Sequence, residues 1–302
     1  MTRASAALLA LGALAYTAWV LEAVLRTGLD PVRTYVSELA ASDQPFGTFF
    51  RATDLVSGAL VLAGAVLGWA GTWRRGTRGI GHRGARGPGH PLASEAGPAG
   101  EPWAGPAGPP WAGPTGASEA EPAGKSWAVR PPASEAAGPG IPDAGPMRRR
   151  VREPWSVLGW GALALFGAAT VADSRLPLSC AATTDPACAA REAAGLVPAT
   201  HTAHAVSSGL AMTGALLALV ALTVAARRYG RGRPLARTGP VVVALEVAAT
   251  VWTLAAVAAF EAGKGTWALG AGQRLQVLLV AVWLAVLAYS LATSRPAQEE
   301  ER

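Results

Sequence analysis

Six apolar stretches, approximately Ala4–Leu25, Phe49–Trp73, Trp155–Ala172, His201–Ala226, Gly239–Phe260 and Leu275–Thr293, divide the chain. Each approaches the roughly 17–25 residues that an α-helix needs to cross a hydrocarbon layer. Segments such as Val241–Ala259 are apolar on every side except for Glu246, whereas a helix on a water-soluble fold keeps a polar face. Hydrophobic residues make up 51% of the chain and charged residues only 15%, and the charges collect between the apolar runs. The predicted fold class is all-α, a polytopic membrane bundle of six transmembrane helices. The first stretch follows Arg3 and resembles a secretory leader, but it outruns the ~7–15 residues of a signal core, so a retained helix is expected.

Arginine placement predicts orientation. The second connection holds Arg74, Arg75, Arg78, Arg83, Arg86, Arg148, Arg149, Arg150 and Arg152, and the fourth holds Arg227, Arg228, Arg231, Arg233 and Arg237. The first, third and fifth connections are much poorer in such residues. Even-numbered loops and both termini are therefore expected in the cytoplasm. The formal net charge of +6 reads as this bias, with attraction to anionic headgroups. Membrane lipids are the expected partners; nucleic acid is not, and the oligomeric state is open. The two cysteines, Cys180 and Cys188, share the third, external loop. Two nearby thiols on an oxidising side suggest a disulfide that pins this loop, the alternative being two unlinked small side chains.

The organisation that follows is residues 1–73 with helices one and two and an external polar loop, a linker at 74–152, helices three to six at 153–294, and a tail at 295–302. The linker is rich in Gly, Pro, Ala, Ser and Glu. Ala-Ser-Glu-Ala recurs from Ala93, Ala117 and Ala133, and Pro-Trp-Ala-Gly-Pro from Pro102 and Pro110. So little apolar surface cannot offset the cost of ordering, and disorder is expected there. Trp103, Trp111 and Trp127 are read as part of that repeat, and Arg148–Arg152 as the cytoplasmic anchor of helix three.

Ionisable residues gather at one end of the spans. Glu22 lies in the last turn of helix one, Ser37 and Glu38 in the first external loop, and Asp54 about one turn inside helix two. Asp173 closes helix three, His201 and His204 open helix four, Glu261 closes helix five, and Gln273, Arg274 and Gln276 open helix six. Groups of this kind are costly in a membrane, turn inward and mark functional sites by default. Ser37, Glu38, Asp54, Asp173, His201, His204 and Arg274 are therefore the candidate ligand-binding set. Arg274 is available to a carboxylate or to an anionic ligand. The plainer alternative is that Asp54 only caps its helix or pairs with Arg51.

Three functions compete for such a cluster. The leading expectation is a non-enzymatic pocket for a lipid headgroup or small polar ligand, in a sensor, accessory or envelope role, with no cofactor. The alternative is a metal-dependent membrane hydrolase. His201 and His204, spaced i, i+3, would share a helix face and bind zinc with Asp173, leaving a position for water; Asp54, Asp173 and His204 are its candidate catalytic residues. A proton-coupled transporter would join the cluster to Glu246, read as about two turns in from the cytoplasmic end of helix five. No inverted repeat or broken helix supports that last reading. Gly64 and Gly68 are expected to serve close helix packing. No phosphate-cradling loop or nucleophile elbow is present: Gly138–Gly145 follows no strand and opens no helix.

Tyr35-Val-Ser-Glu-Leu, Phe50-Arg-Ala-Thr-Asp54, Val171-Ala-Asp-Ser-Arg-Leu-Pro177 with Cys180, and His201-Thr-Ala-His204-Ala-Val-Ser-Ser208 together resemble the bacterial six-helix membrane proteins of the domain of unknown function 998. The resemblance covers both hydrophobic parts and omits the linker. It implies an external polar cluster and a bacterial plasma membrane location, with no established activity. A more distant similarity is to the Frag1/DRAM/Sfk1 group. Ceramidase-like hydrolases are a poorer comparison, because the chain lacks their His-x-x-x-His pair and third histidine.

Overall fold

The computed structural model describes residues 2–78, 153–230 and 232–294. Its elements are α1 (Thr2–Tyr16), a 3-10 segment (Ala18–Ala23), a 3-10 turn (Val36–Ala40), α2 (Gly47–Arg78), α3 (Pro154–Asp173), α4 (Pro186–Ala193), α5 (Ala199–Arg228), α6 (Arg233–Glu261) and α7 (Leu269–Thr293). No strand occurs among the described residues. Among the described residues, six helical segments are long and apolar enough to cross a membrane: Arg3–Ala23, α2 to Gly71, α3, α5, α6 and α7. Leu14, Val24, Val241, Val251 and Leu254 are more than half exposed, which a lipid solvent explains and water does not.

Each span packs on the next along the chain, and the ring closes through α1 against α7. Small residues set how closely the helices approach, as expected where lipid gives no hydrophobic drive for association. A Cβ on Gly167 of α3 would stand 2.6 Å from the Leu62 backbone nitrogen of α2, and one on Gly214 of α5 would stand 2.8 Å from the Phe166 nitrogen of α3. Gly64 faces Leu9, and Gly68 lies directly beneath the Trp160 ring. Two serines clasp α1 to α2 in opposite senses. Ser5 donates to the Gly64 carbonyl at 2.7 Å, and Ser57 to the Gly12 carbonyl at 3.0 Å. Phe166, Leu163, Leu219, Trp283 and Leu284 fill the middle of the bundle.

Several boundaries differ from the sequence reading, that of α7 among them, which starts at Leu269 and not at Leu275. The first span does not stay α-helical to Leu25. Thr17 turns its hydroxyl back onto the Leu14 carbonyl at 2.8 Å, competing with the backbone ladder, and the chain tightens into 3-10 geometry. With three residues per turn, Trp19 and Glu22 then lie on one face. Second, α2 continues to Arg78, past the boundary read at 73. Third, α6 starts at Arg233, well before Gly239, with Pro234 in its first turn and Pro240 tolerated further in. Glu246 is thus near the middle of the 29-residue α6, not two turns from its end. The helix closes in a Schellman motif, Lys264 N–H to the Ala259 carbonyl at 2.8 Å, with Gly263 at φ +67°. The repeats, Trp103, Trp111, Trp127, Arg148–Arg152 and the tail at 295–302 lie outside the described residues.

Candidate functional site

The connections at 24–46 and 174–198 meet at one end of the bundle and are sewn together by loop residues. Ser42 N–H donates to the Leu178 carbonyl at 2.8 Å. Glu38, almost fully buried, receives Thr183 N–H at 2.8 Å, the Thr183 hydroxyl, and Tyr35 N–H at 3.1 Å. The expected disulfide is formed: Cys180 and Cys188, with Cα atoms 6.1 Å apart, tie the loop to the short helix α4. Asp185 caps α4 by accepting Ala187 N–H at 2.9 Å.

Burial pushes the Glu38 carboxyl above the usual carboxylate range, against the opposing pull of the Thr183 and Tyr35 donors. The folded protein therefore binds that proton more tightly than the unfolded chain. Its contribution to stability is full below the ordinary value of about 4.3 and is lost as pH rises through the raised value. Thermal midpoints of purified protein are expected to fall with rising pH across this window, and Glu38→Gln is expected to flatten the slope. An unchanged slope in that variant would assign the dependence to another group.

The two histidines serve different loop contacts. His201 accepts Ser179 N–H on Nδ1 at 3.1 Å and turns Nε2 towards Glu192 at 3.4 Å. Its proton therefore sits on Nε2. His204 does the opposite: Nδ1 lies 2.8 Å from the Leu176 carbonyl, which can only accept, so Nδ1 carries the proton. The same Nδ1 is 3.2 Å from Asp173 Oδ1. Asp173 also receives the Ser207 hydroxyl and the Ser208 hydroxyl, the latter 3.0 Å from both carboxylate oxygens. Among the described residues no three His, Cys, Asp or Glu side chains are grouped to hold a metal ion. The set His201, His204 and Asp173 read for zinc is divided between the Glu192 side and the Asp173 side.

Beneath the loops lies a cavity of about 100 Å³ lined by Tyr16, Trp19, Ser37, Phe50, Asp54 and Asp173, among others. Arg51 does not pair with Asp54; its guanidinium donates to the Ala40 carbonyl at 2.7 Å and to Thr48 at 3.0 Å. The Asp54 carboxyl makes no hydrogen bond among the described residues. Tyr16 stands edge-on to Phe166 at 5.4 Å and shares the cavity lining with Asp54 and Asp173.

Of the seven residues read as a ligand set, Ser37, Asp54 and Asp173 line this cavity, and His204 supports Asp173 from behind. Glu38, His201 and Arg274 do not line it. Arg274 is held in a fork by Glu22, Nε to Oε1 and Nη2 to Oε2 both at 2.5 Å, while Nη1 donates to the Thr34 carbonyl at 2.8 Å. That arrangement leaves little of the guanidinium for an anionic ligand. Gln273 accepts Val36 N–H at 2.6 Å and lines the cavity. Tyr16 and Trp19 escaped the sequence reading because aromatic residues inside an apolar run look like lipid-facing bulk.

Six apolar helices joined by a disulfide-pinned loop define a multi-pass membrane protein. The chain belongs to the family described as Protein of unknown function (DUF998), matched over residues 9–82 and 144–290. No curated protein and no solved structure matches it.

Proposed function

We propose that the cavity beside Asp54 and Asp173 binds a lipid headgroup or small polar ligand, and that the protein acts as a sensor, accessory or envelope factor and not as an enzyme. In this reading the disulfide-bearing end faces outward from a bacterial plasma membrane, with both termini in the cytoplasm. The arginine-rich even loops and a disulfide that needs an oxidising compartment support that orientation. One observation carries the binding reading: Asp54 lines a cavity inside a span and has no hydrogen-bond partner among the described residues. A carboxyl group so placed costs several kcal/mol (~1–3 for an unsatisfied group, more if charged) unless something supplies a partner.

The test is native mass spectrometry of the protein released from mild detergent. A small-molecule or lipid adduct is expected on the wild type and lost in Met212→Trp, which fills the cavity from α5. Identical spectra for the two proteins would remove the reading. Proton-coupled transport remains a second reading on one observation, the carboxyl group of Glu246 buried at mid-span.

A further inference from the structure

We infer that the occupant of this cavity is an organic ammonium group, borne by a lipid headgroup or by a free small amine. The inference rests on the cavity being a binding site and adds the charge of what it binds. Its lining includes two carboxylates, Asp54 and Asp173, and no Lys, Arg or His. Two arginines at this end are spent elsewhere: Arg274 on Glu22, Arg51 on the Ala40 carbonyl and Thr48. An anionic headgroup would meet uncompensated like charge.

The two carboxylates are not equivalent. Asp173 is supplied by Ser207, Ser208 and His204, whereas Asp54 has no such donor. An ammonium N–H would complete Asp54 and leave the Asp173 network as its distant counter-charge. Tyr16, Trp19 and Phe50 add aromatic surface to the same lining, the surroundings that favour alkylammonium over a strongly hydrated ion. A hard metal ion would want about six to eight oxygen ligands, and here no group of three candidate ligands exists among the described residues. At roughly 10–15 Å³ of such space per water, about 100 Å³ admits several heavy atoms. A small aminoalkyl group fits where a bulky one does not.

The experiment is calorimetric titration of the full-length protein in phosphatidylglycerol nanodiscs with ethanolammonium chloride, methyl phosphate or glycerol. Saturable binding of ethanolammonium alone is expected, weakened at least tenfold in Asp54→Asn. Asp54→Glu, which keeps the charge, is expected to retain part of the affinity and so guards against simple misfolding. Repeating the titration in phosphatidylethanolamine nanodiscs separates the sources: suppressed binding assigns the ammonium to the lipid headgroup, and unchanged binding to a free amine. Binding of methyl phosphate or glycerol instead, undiminished in Asp54→Asn, would overturn the ammonium inference and leave the cavity as a site. No binding of any probe in either nanodisc, together with no adduct on the native protein, would overturn both.

Discussion

Arg274→Met is expected to lower unfolding stability by about 3–5 kcal/mol, the cost of breaking a buried ion pair from one side, read as a large drop in thermal midpoint in detergent. The reasoning starts from Glu22. Its side chain is 7% exposed and that of Arg274 is 8% exposed, so the variant strands a carboxylate in a membrane-embedded wall. Arg274 also holds the Thr34 carbonyl, and with it the loop that leads to the 3-10 turn at Val36–Ala40. The loss is therefore both electrostatic and structural. Glu22→Gln combined with Arg274→Met removes the stranded charge and is expected to recover at least half of the drop, a coupling that a double-mutant cycle measures directly. If the single variant costs less than 1 kcal/mol, the fork is a surface-like pair and the closure of α1 on α7 rests on packing alone.

The same pair shows what the sequence could and could not disclose. Both residues were legible as polar groups at the same end of their spans, because an ion near a membrane interface stands out against apolar neighbours. Their pairing was not, since they lie 252 residues apart and periodicity says nothing about which helices touch. Arg274 was read as available to a carboxylate or to an anionic ligand, and the fork on Glu22 is the first of these.

Asp54, Asp173 and His204 were singled out by depth; because spanning helices fix height to within a turn, Asp54 and Asp173 share one cavity lining and His204 stands against Asp173. Loop residues carry no such coordinate. Thr183 and Ser179, which take Glu38 and His201 out of the cavity lining and into the loop clasp, gave no signal at all. The helix boundaries failed for a related reason. Thr17 is one hydroxyl in an apolar run, and Arg233-Pro-Leu-Ala-Arg-Thr reads as a loop by polarity although its residues wind into the first turns of α6.

The early start of α6 also changes what Glu246 is. Placed near the middle of a 29-residue helix, it is ~20 Å from either end at 1.5 Å per residue, too deep to snorkel. Its side chain is fully buried and neither carboxyl oxygen has a partner of good hydrogen-bond geometry among the described residues. The Gln276 side chain of α7 is its polar neighbour, and that amide already donates to Thr250 at 2.9 Å. A carboxyl group so placed costs stability whichever protonation state it takes. Glu246→Met, similar in length and free of that cost, is therefore expected to raise stability by about 1–3 kcal/mol, the range seen when buried ionic groups are replaced by well-packed apolar ones. Glu246→Gln should fall between the two proteins, because an amide is cheaper to bury than an acid yet still needs partners. A loss of stability in Glu246→Met with no loss in Glu246→Gln would mean that a hydrogen bond across α6 and α7 holds this seam, and Glu246 would then be a packing element of the bundle. A gain leaves a residue kept against its own stability cost, as a group that must take up and release a proton would be.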